Sequence, residues 1–324
     1  MKAAIIGGGG FLGQKLARRL AEIGKVRGEA ITSMVLADIV APNAIEAGFP
    51  VETQQMDITD RAAVDRAVAG AGAIWHLAAI VSAQAEAEFD LGLEINLGGS
   101  LNVFQAARAL GTNPILVYTS SCAVYGGEIE DPMRDGVELN PQTSYGAQKA
   151  AAELILTDMS RKGFVDGRGL RLPTITIRPG KPNKASTGFM SSIFREPMQG
   201  QQSNCPVGRD FPIWHCSPRT MVENLVHAAE IPPEDWGKNR CLATPGLTST
   251  IGEMIDAMTR VAGPGPEALI TWDKDDWIEG IVRQFTSAVI PEKALRLGFK
   301  QDASFEDSVR YFLEDDIARP GGAA

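Results

Sequence analysis

The run Gly7-Gly8-Gly9-Gly10-Phe11-Leu12-Gly13 follows directly on the apolar stretch Ala3-Ala4-Ile5-Ile6, and no other feature constrains this chain as strongly. Behind it, Leu12, Leu16, Leu20 and Ile23 recur at helical spacing. A strand over Lys2–Ile6, a glycine turn and a helix over Phe11–Ile23 are therefore predicted. The glycines satisfy two frames, Gly7-x-x-Gly10-x-x-Gly13 and Gly8-x-Gly10-x-x-Gly13. In either frame the early glycines let the backbone approach a pyrophosphate, and Gly13 lets the helix lie close to the strand. Phe11 and Leu12 begin the helix, whose free N–H groups and positive dipole end would face the phosphates. A plain flexible turn would not need glycine in the first helical turn.

The alternation continues. Strands are predicted over Met34–Ala37, Val51–Met56, Ala73–Leu77, Ile115–Thr119 and Leu170–Ile177. Helices are predicted over Arg61–Ala69, with Asp60 as N-cap, over Leu93–Leu110 and over Ser144–Ser160. Strands alternating with helices imply a doubly wound parallel α/β sheet, which binds ligands outside the carboxyl ends of its strands. Gly7, Asp38, Asp57, Ala78 and Ser121 all fall there. The dinucleotide-binding domain is expected over 1–180, with 213–230 packing back on it. A smaller C-terminal substrate-binding region is expected over 181–316, and a disordered tail over 317–324.

A chain of 324 residues can bury a large core, and a net charge of -9 argues against a general basic surface for nucleic acid or anionic membranes. No apolar run is long enough to span a bilayer. The four cysteines lack Cys-x-x-Cys spacing and the three histidines are scattered, so reduced cytoplasmic thiols and no structural metal are expected.

Asp38 ends the second strand. A carboxylate there can accept hydrogen bonds from an adenosine ribose and repel a 2′-phosphate, and no Lys or Arg lies close behind it. NAD is therefore the expected cofactor. Asp57 and Ile58, after the third strand, are placed at the adenine.

Tyr145 and Lys149 stand four apart on a predicted helix and share a face. A nearby ammonium favours the phenolate, so Tyr145 can take a proton from a substrate hydroxyl as hydride leaves. Lys149 can also hold the nicotinamide ribose. Ser121, in Thr119-Ser120-Ser121, can orient the same substrate oxygen.

These stretches resemble the extended short-chain dehydrogenase/reductase family, in family order over the first 180 residues. His76-Leu77-Ala78-Ala79, Asn96 and Val124-Tyr125-Gly126 add to the likeness. The resemblance implies Tyr145 as acid/base with Lys149 and Ser121 as its partners. It implies NAD contacts from Leu77, Ala78, Ala79, Ser120, Pro173 and Thr174. Asn96 joins the cofactor side as a residue shaping its helix or holding a water. A homodimer through the helices Leu93–Leu110 and Ser144–Ser160 is a further family expectation.

Phe164-Val165-Asp166-Gly167-Arg168, Leu172-Pro173-Thr174, Arg178-Pro179-Gly180-Lys181-Pro182-Asn183 and Ser217-Pro218-Arg219 resemble a narrower group of sugar-acid dehydrogenases. That likeness implies NAD-dependent oxidation at C2 of a four-carbon acid, D-erythronate, to the 2-oxo acid. Ser82, Ser121, Tyr145, Thr174, Lys181 and Arg219 are the candidate substrate contacts. Lys181 and Arg219 are favoured for the carboxylate, and the Arg219 guanidinium can bind one bidentately. Arg178 reads instead as a structurally paired strand residue, and Cys122 as packing. The alternatives are a nucleotide-sugar epimerase or dehydratase and a catalytically silent NAD-sensing regulator. Arg178-Pro179-Gly180-Lys181-Pro182 replaces the usual epimerase-like Asn-x-Tyr-Gly-Pro and weakens the first. The intact Ser121, Tyr145 and Lys149 argue against the second.

Overall fold

The computed structural model describes residues 1–180 and 187–318. Seven strands build the central sheet: β1 Lys2–Ile6, β2 Ser33–Asp38, β3 Val51–Gln55, β4 Ala71–His76, β5 Ile115–Ser121, β6 Asp166–Leu172 and β7 Cys241–Ala243. Their order is β3-β2-β1-β4-β5-β6-β7, and every pairing is parallel. The order reverses between β1 and β4, which opens a crevice at the carboxyl ends of the strands.

Period-two alternation sends each strand's side chains to both faces. Ala3 and Ile5 of β1 pack with Leu16 and Leu20 of α1 (Phe11–Ile23) on one face. Ala4 and Ile6 meet Val64 of α2 (Arg61–Val68), Phe104 of α3 (Ser100–Ala109) and Leu156 of α4 (Ser144–Arg161) on the other. Helix α5 (Pro218–Glu230) returns to the first face, burying Met221 and Leu225 there. The buried Trp75 indole N–H donates to the Leu225 carbonyl at 3.0 Å and fixes that return.

Local signals set the helix ends. Asp60 accepts the Ala62 and Ala63 N–H groups and starts α2. Thr143 accepts the Gly146 N–H at 3.1 Å and starts α4. Gly24 ends α1 at φ 68°.

Four differences from the sequence reading concern the site. The sixth strand runs over Asp166–Leu172, not Leu170–Ile177. Pro173 lacks the N–H a ladder needs, and Thr174–Ile175 joins a second sheet with Pro212–Cys216 and Leu247–Thr250. The chain also returns to the central sheet at β7, beyond the boundary expected at residue 180. The helix expected over Leu93–Leu110 is α3 preceded by a π-helical turn, Leu93–Gly99, where Gly99 lies against the Ile58 side chain. Ile317 closes a helical turn, Leu313–Ile317, and residues 319–324 lie outside the described residues.

The second sheet, the helices Phe189–Arg195 and Phe305–Phe312, and α6 (Ile251–Ala262) enclose a separate core containing Phe194, Ile213, Met254 and Phe305. This lobe overhangs the carboxyl end of β6. Among the described residues, no helix is long and apolar enough to cross a membrane.

Candidate active site

A cleft runs across the switch point between β1 and β4. Its adenosine end is bounded by Asp38, Asp57, Ile58, Ala78 and Ala79. Its other end is bounded by Ser82, Ser120, Ser121, Tyr145, Lys149, Pro173 and Thr174. Gly7, Gly10, Leu77 and Ala79 border both ends, and Phe11, Leu12 and Gly13 line the second.

The turn's shape requires its glycines. Gly7 has φ 93°, and a Cβ there would sit 2.6 Å from the Ala78 nitrogen. A Cβ on Gly13 would collide with the Gly7 carbonyl oxygen. Helix α1 therefore starts directly on β1, with no side chain capping its first N–H groups. Asp38 accepts the Gly9 N–H at 3.0 Å and so ties the turn to the end of β2. Asp57 bonds the Thr59 N–H and hydroxyl, each at 2.8 Å, while its residue still borders the cleft. A bare cradle of amide donors, an acid at the ribose position and an apolar slot beside Ile58 fit a bound NAD.

Helix α4 carries the reactive end. Tyr145 lies in its first turn, and a Cβ on Gly146 would strike the Ala123 carbonyl oxygen. Gly146 therefore lets α4 rest on the turn after β5 and brings Tyr145 to Ser121. The sequence reading missed this role; its signal was the glycine directly after the tyrosine. Ser121 accepts the Ala123 N–H at 3.1 Å, which fixes its side chain at the cleft wall.

Lys149 is buried, donates to the Thr119 carbonyl at 2.9 Å, and lies 4.8 Å from the centre of the Tyr118 ring. Burial lowers its pKa to about 7 against the opposing pull of Glu153. Burial raises Tyr145, Cys122 adds to that rise, and the Ser121 bond and the Arg178 charge oppose it. In the chain alone, burial therefore opposes ionisation of Tyr145, while the Lys149 ammonium lies 5.7 Å from the centre of its ring.

Other expected residues fall differently. Asn96 is fully buried and accepts the Ile80 N–H at 2.9 Å, with its amide 2.8 Å from that of Gln148. It braces the loop after β4 and does not border the cleft. Arg219 is held by Asp315, at 3.0 and 2.6 Å, and by Glu314 at 2.9 Å. It does not line the cleft either, and its fork is already filled. Those carboxylates lie nearly a hundred residues away, beyond the reach of any local pattern. Lys181 lies outside the described residues. Arg178 does border the cleft. Its guanidinium donates to the Thr187 carbonyl and hydroxyl at 2.8 and 2.9 Å, and no carboxylate pairs with it among the described residues. Arg178 is thus paired structurally, with Thr187 and Ser191, but it lies in none of the described strands and faces the cleft rather than a ladder. Ser82 and Thr174 line the same end.

The model of the NAD dependent epimerase/dehydratase family matches residues 3–221. This chain belongs to that family. Its cofactor is NAD, as the cradle and Asp38 require. The chain is 45% identical over 320 residues to the D-erythronate dehydrogenase of Cupriavidus necator, covering 97% of this chain and 98% of that one. It is 39% identical over 318 residues to the D-erythronate dehydrogenase of Haemophilus influenzae, covering 98% and 100%. A solved structure described as the nucleoside-diphosphate-sugar epimerase from Agrobacterium tumefaciens superposes with a TM-score of 0.93 at 42% identity, covering 98% of this chain and 95% of that one.

Proposed function

We propose that this chain is an NAD-dependent dehydrogenase that oxidises D-erythronate at C2 to the 2-oxo acid. The observation that carries this is one cleft holding Ser121, Tyr145 and Arg178, with which no described carboxylate pairs, beside the dinucleotide cradle. The two curated relatives of this name, similar along nearly the whole chain, support the substrate.

Each residue has a separate task. Arg178, preset by Thr187 and Ser191, takes the carboxylate at C1. Ser121 and Tyr145 bind the C2 hydroxyl. Tyr145, acting as the phenolate that the nearby ammonium and the cationic nicotinamide would favour, takes its proton as the C2 hydride departs. Lys149, anchored on the Thr119 carbonyl and 5.7 Å from the centre of the Tyr145 ring, orients the cofactor ribose and, as the ammonium, stabilises the phenolate. Ser82 and Thr174 are proposed for the remaining hydroxyls. When bound, NAD supplies the hydride acceptor. The C-terminal lobe serves as the substrate-binding region.

The Agrobacterium structure favours a second reading, epimerisation of a sugar nucleotide. A pyrophosphate would need several cations at the substrate end. Among the described residues lining that end, only Lys149 and Arg178 are basic, which supports the small acid. The test is NADH formation by purified protein with NAD and D-erythronate, L-erythronate, the threonates or UDP-sugars. Net NADH with D-erythronate supports the dehydrogenase. UDP-sugar conversion without net NADH would replace it with the epimerase.

A homodimer is supported by exposed Phe89, Leu93, Leu154 and Ile155, carried by α4 and the neighbouring helical stretch. A cytoplasmic site of action is supported by four cysteines of which none forms a disulfide.

A further inference from the structure

One lining residue of the substrate end comes from far along the chain. Phe285 is the sole described residue C-terminal to Thr187 that borders this end of the cleft. It packs on the cluster of Cys122, Trp214 and Ala243, all buried, so its ring stands immediately behind the Ser121–Cys122 corner.

The backbone that carries the ring is held in place. The Phe285 N–H donates to the Val282 carbonyl at 3.2 Å. Ser287 donates to Asp131 at 2.7 Å, and its carbonyl accepts the Thr248 hydroxyl at 2.9 Å. Val289 and Ile290 pair with Met133 and Arg134. Two separate parts of the chain, residues 131–134 and Thr248, thus clamp the segment after Phe285.

We infer that Phe285 is a specificity-determining residue, the apolar end wall that limits the substrate's carbon chain to about four carbons. This rests on the proposed sugar-acid reaction. With the carboxylate on Arg178 and the C2 hydroxyl at Ser121 and Tyr145, the chain beyond C2 grows toward the remaining wall. A phenyl ring offers no hydrogen-bond partner there. Each further CHOH unit would meet a clamped ring and bury a hydroxyl without a partner.

The test compares kcat/KM for four-, five- and six-carbon 2-hydroxy sugar acids, with UDP-sugars alongside, in wild type, Phe285→Ala and Phe285→Leu. The wild type is expected to prefer the four-carbon acid at least about tenfold. Phe285→Ala is expected to shift the five-carbon to four-carbon ratio at least about tenfold toward the longer acid. Phe285→Leu, which keeps the packing, is expected to shift it less in the same direction. A purely structural role would lower all substrates together and leave the ratio unchanged, and that result in both variants overturns the inference. Equal wild-type rates on four- and six-carbon acids also overturn it, while leaving the dehydrogenase reading intact. Conversion of UDP-sugars, with no NADH from any acid, overturns both, since so large a molecule must pass the ring.

Discussion

Arg178 donates to Thr187 twice, through the Thr187 carbonyl at 2.8 Å and hydroxyl at 2.9 Å, and has no carboxylate partner among the described residues at the cleft wall. Hydrogen bonds to charged groups contribute about 1.5–3 kcal/mol. Arg178→Gln should therefore raise KM for the acid about 10- to 100-fold, with NAD affinity little changed. Arg219→Ala should leave KM unchanged, because Asp315 and Glu314 already occupy that guanidinium. Steady-state kinetics on the two variants checks both statements.

Tyr145→Phe keeps the ring and removes the proton acceptor. Turnover should fall roughly 10²–10⁴-fold while NAD binding, followed by fluorescence titration, survives. Unimpaired turnover would assign the proton to another group.

Gly146 lets α4 lie on the Ala123 carbonyl. Gly146→Ala must push the first turn away, and a displacement on the order of 1 Å costs about 10²-fold in rate. We expect kcat to fall by about that factor with NAD affinity retained, since the cradle from Gly7 to Gly13 is untouched. Melting temperature, measured in parallel, separates this from unfolding.

Asp38 repels a 2′-phosphate and also holds the Gly9 N–H. Asp38→Ala should raise the NADP to NAD ratio of kcat/KM at least about tenfold, because a like-charge clash costs several kcal/mol. The KM for NAD should rise as well, because the turn loses its tie to β2.

Burial lowers His215 to about 4, against a smaller upward pull from Asp302. The unfolded chain takes up this proton near pH 6.5, and the folded chain only near pH 4. The unfolded state therefore binds more protons in that window, and stability falls as pH drops from about 6.5 through about 4. His215→Asn should flatten this slope in thermal melts between pH 7 and pH 4.5, even though losing the Ser249 bond lowers stability at pH 7.

Much of the cofactor half was legible because its signals are local. The glycine turn, the strand ends at Asp38 and Ser121, and the Tyr145–Lys149 spacing each lie within a few residues. What the sequence hid was settled over long separations. Arg219 looked available because its partners are Glu314 and Asp315. β7 has three residues, too few for any periodicity, and exists only through β6. Phe285 gives no signal as a cleft residue until the C-terminal lobe folds over Cys122. The reversed ranking of Arg178 and Arg219 has the same origin. A guanidinium's availability depends on which carboxylates the fold brings to it.

The break after Leu172 divides the labour of the chain. The cofactor cradle and the residues proposed for proton transfer, from Gly7 to Lys149, precede it, while Thr174, Arg178, Thr187 and Phe285 follow it. Mutations that retune selectivity can therefore accumulate downstream without touching the reactive machinery. A lineage built this way can acquire new substrates while its chemistry stays constant.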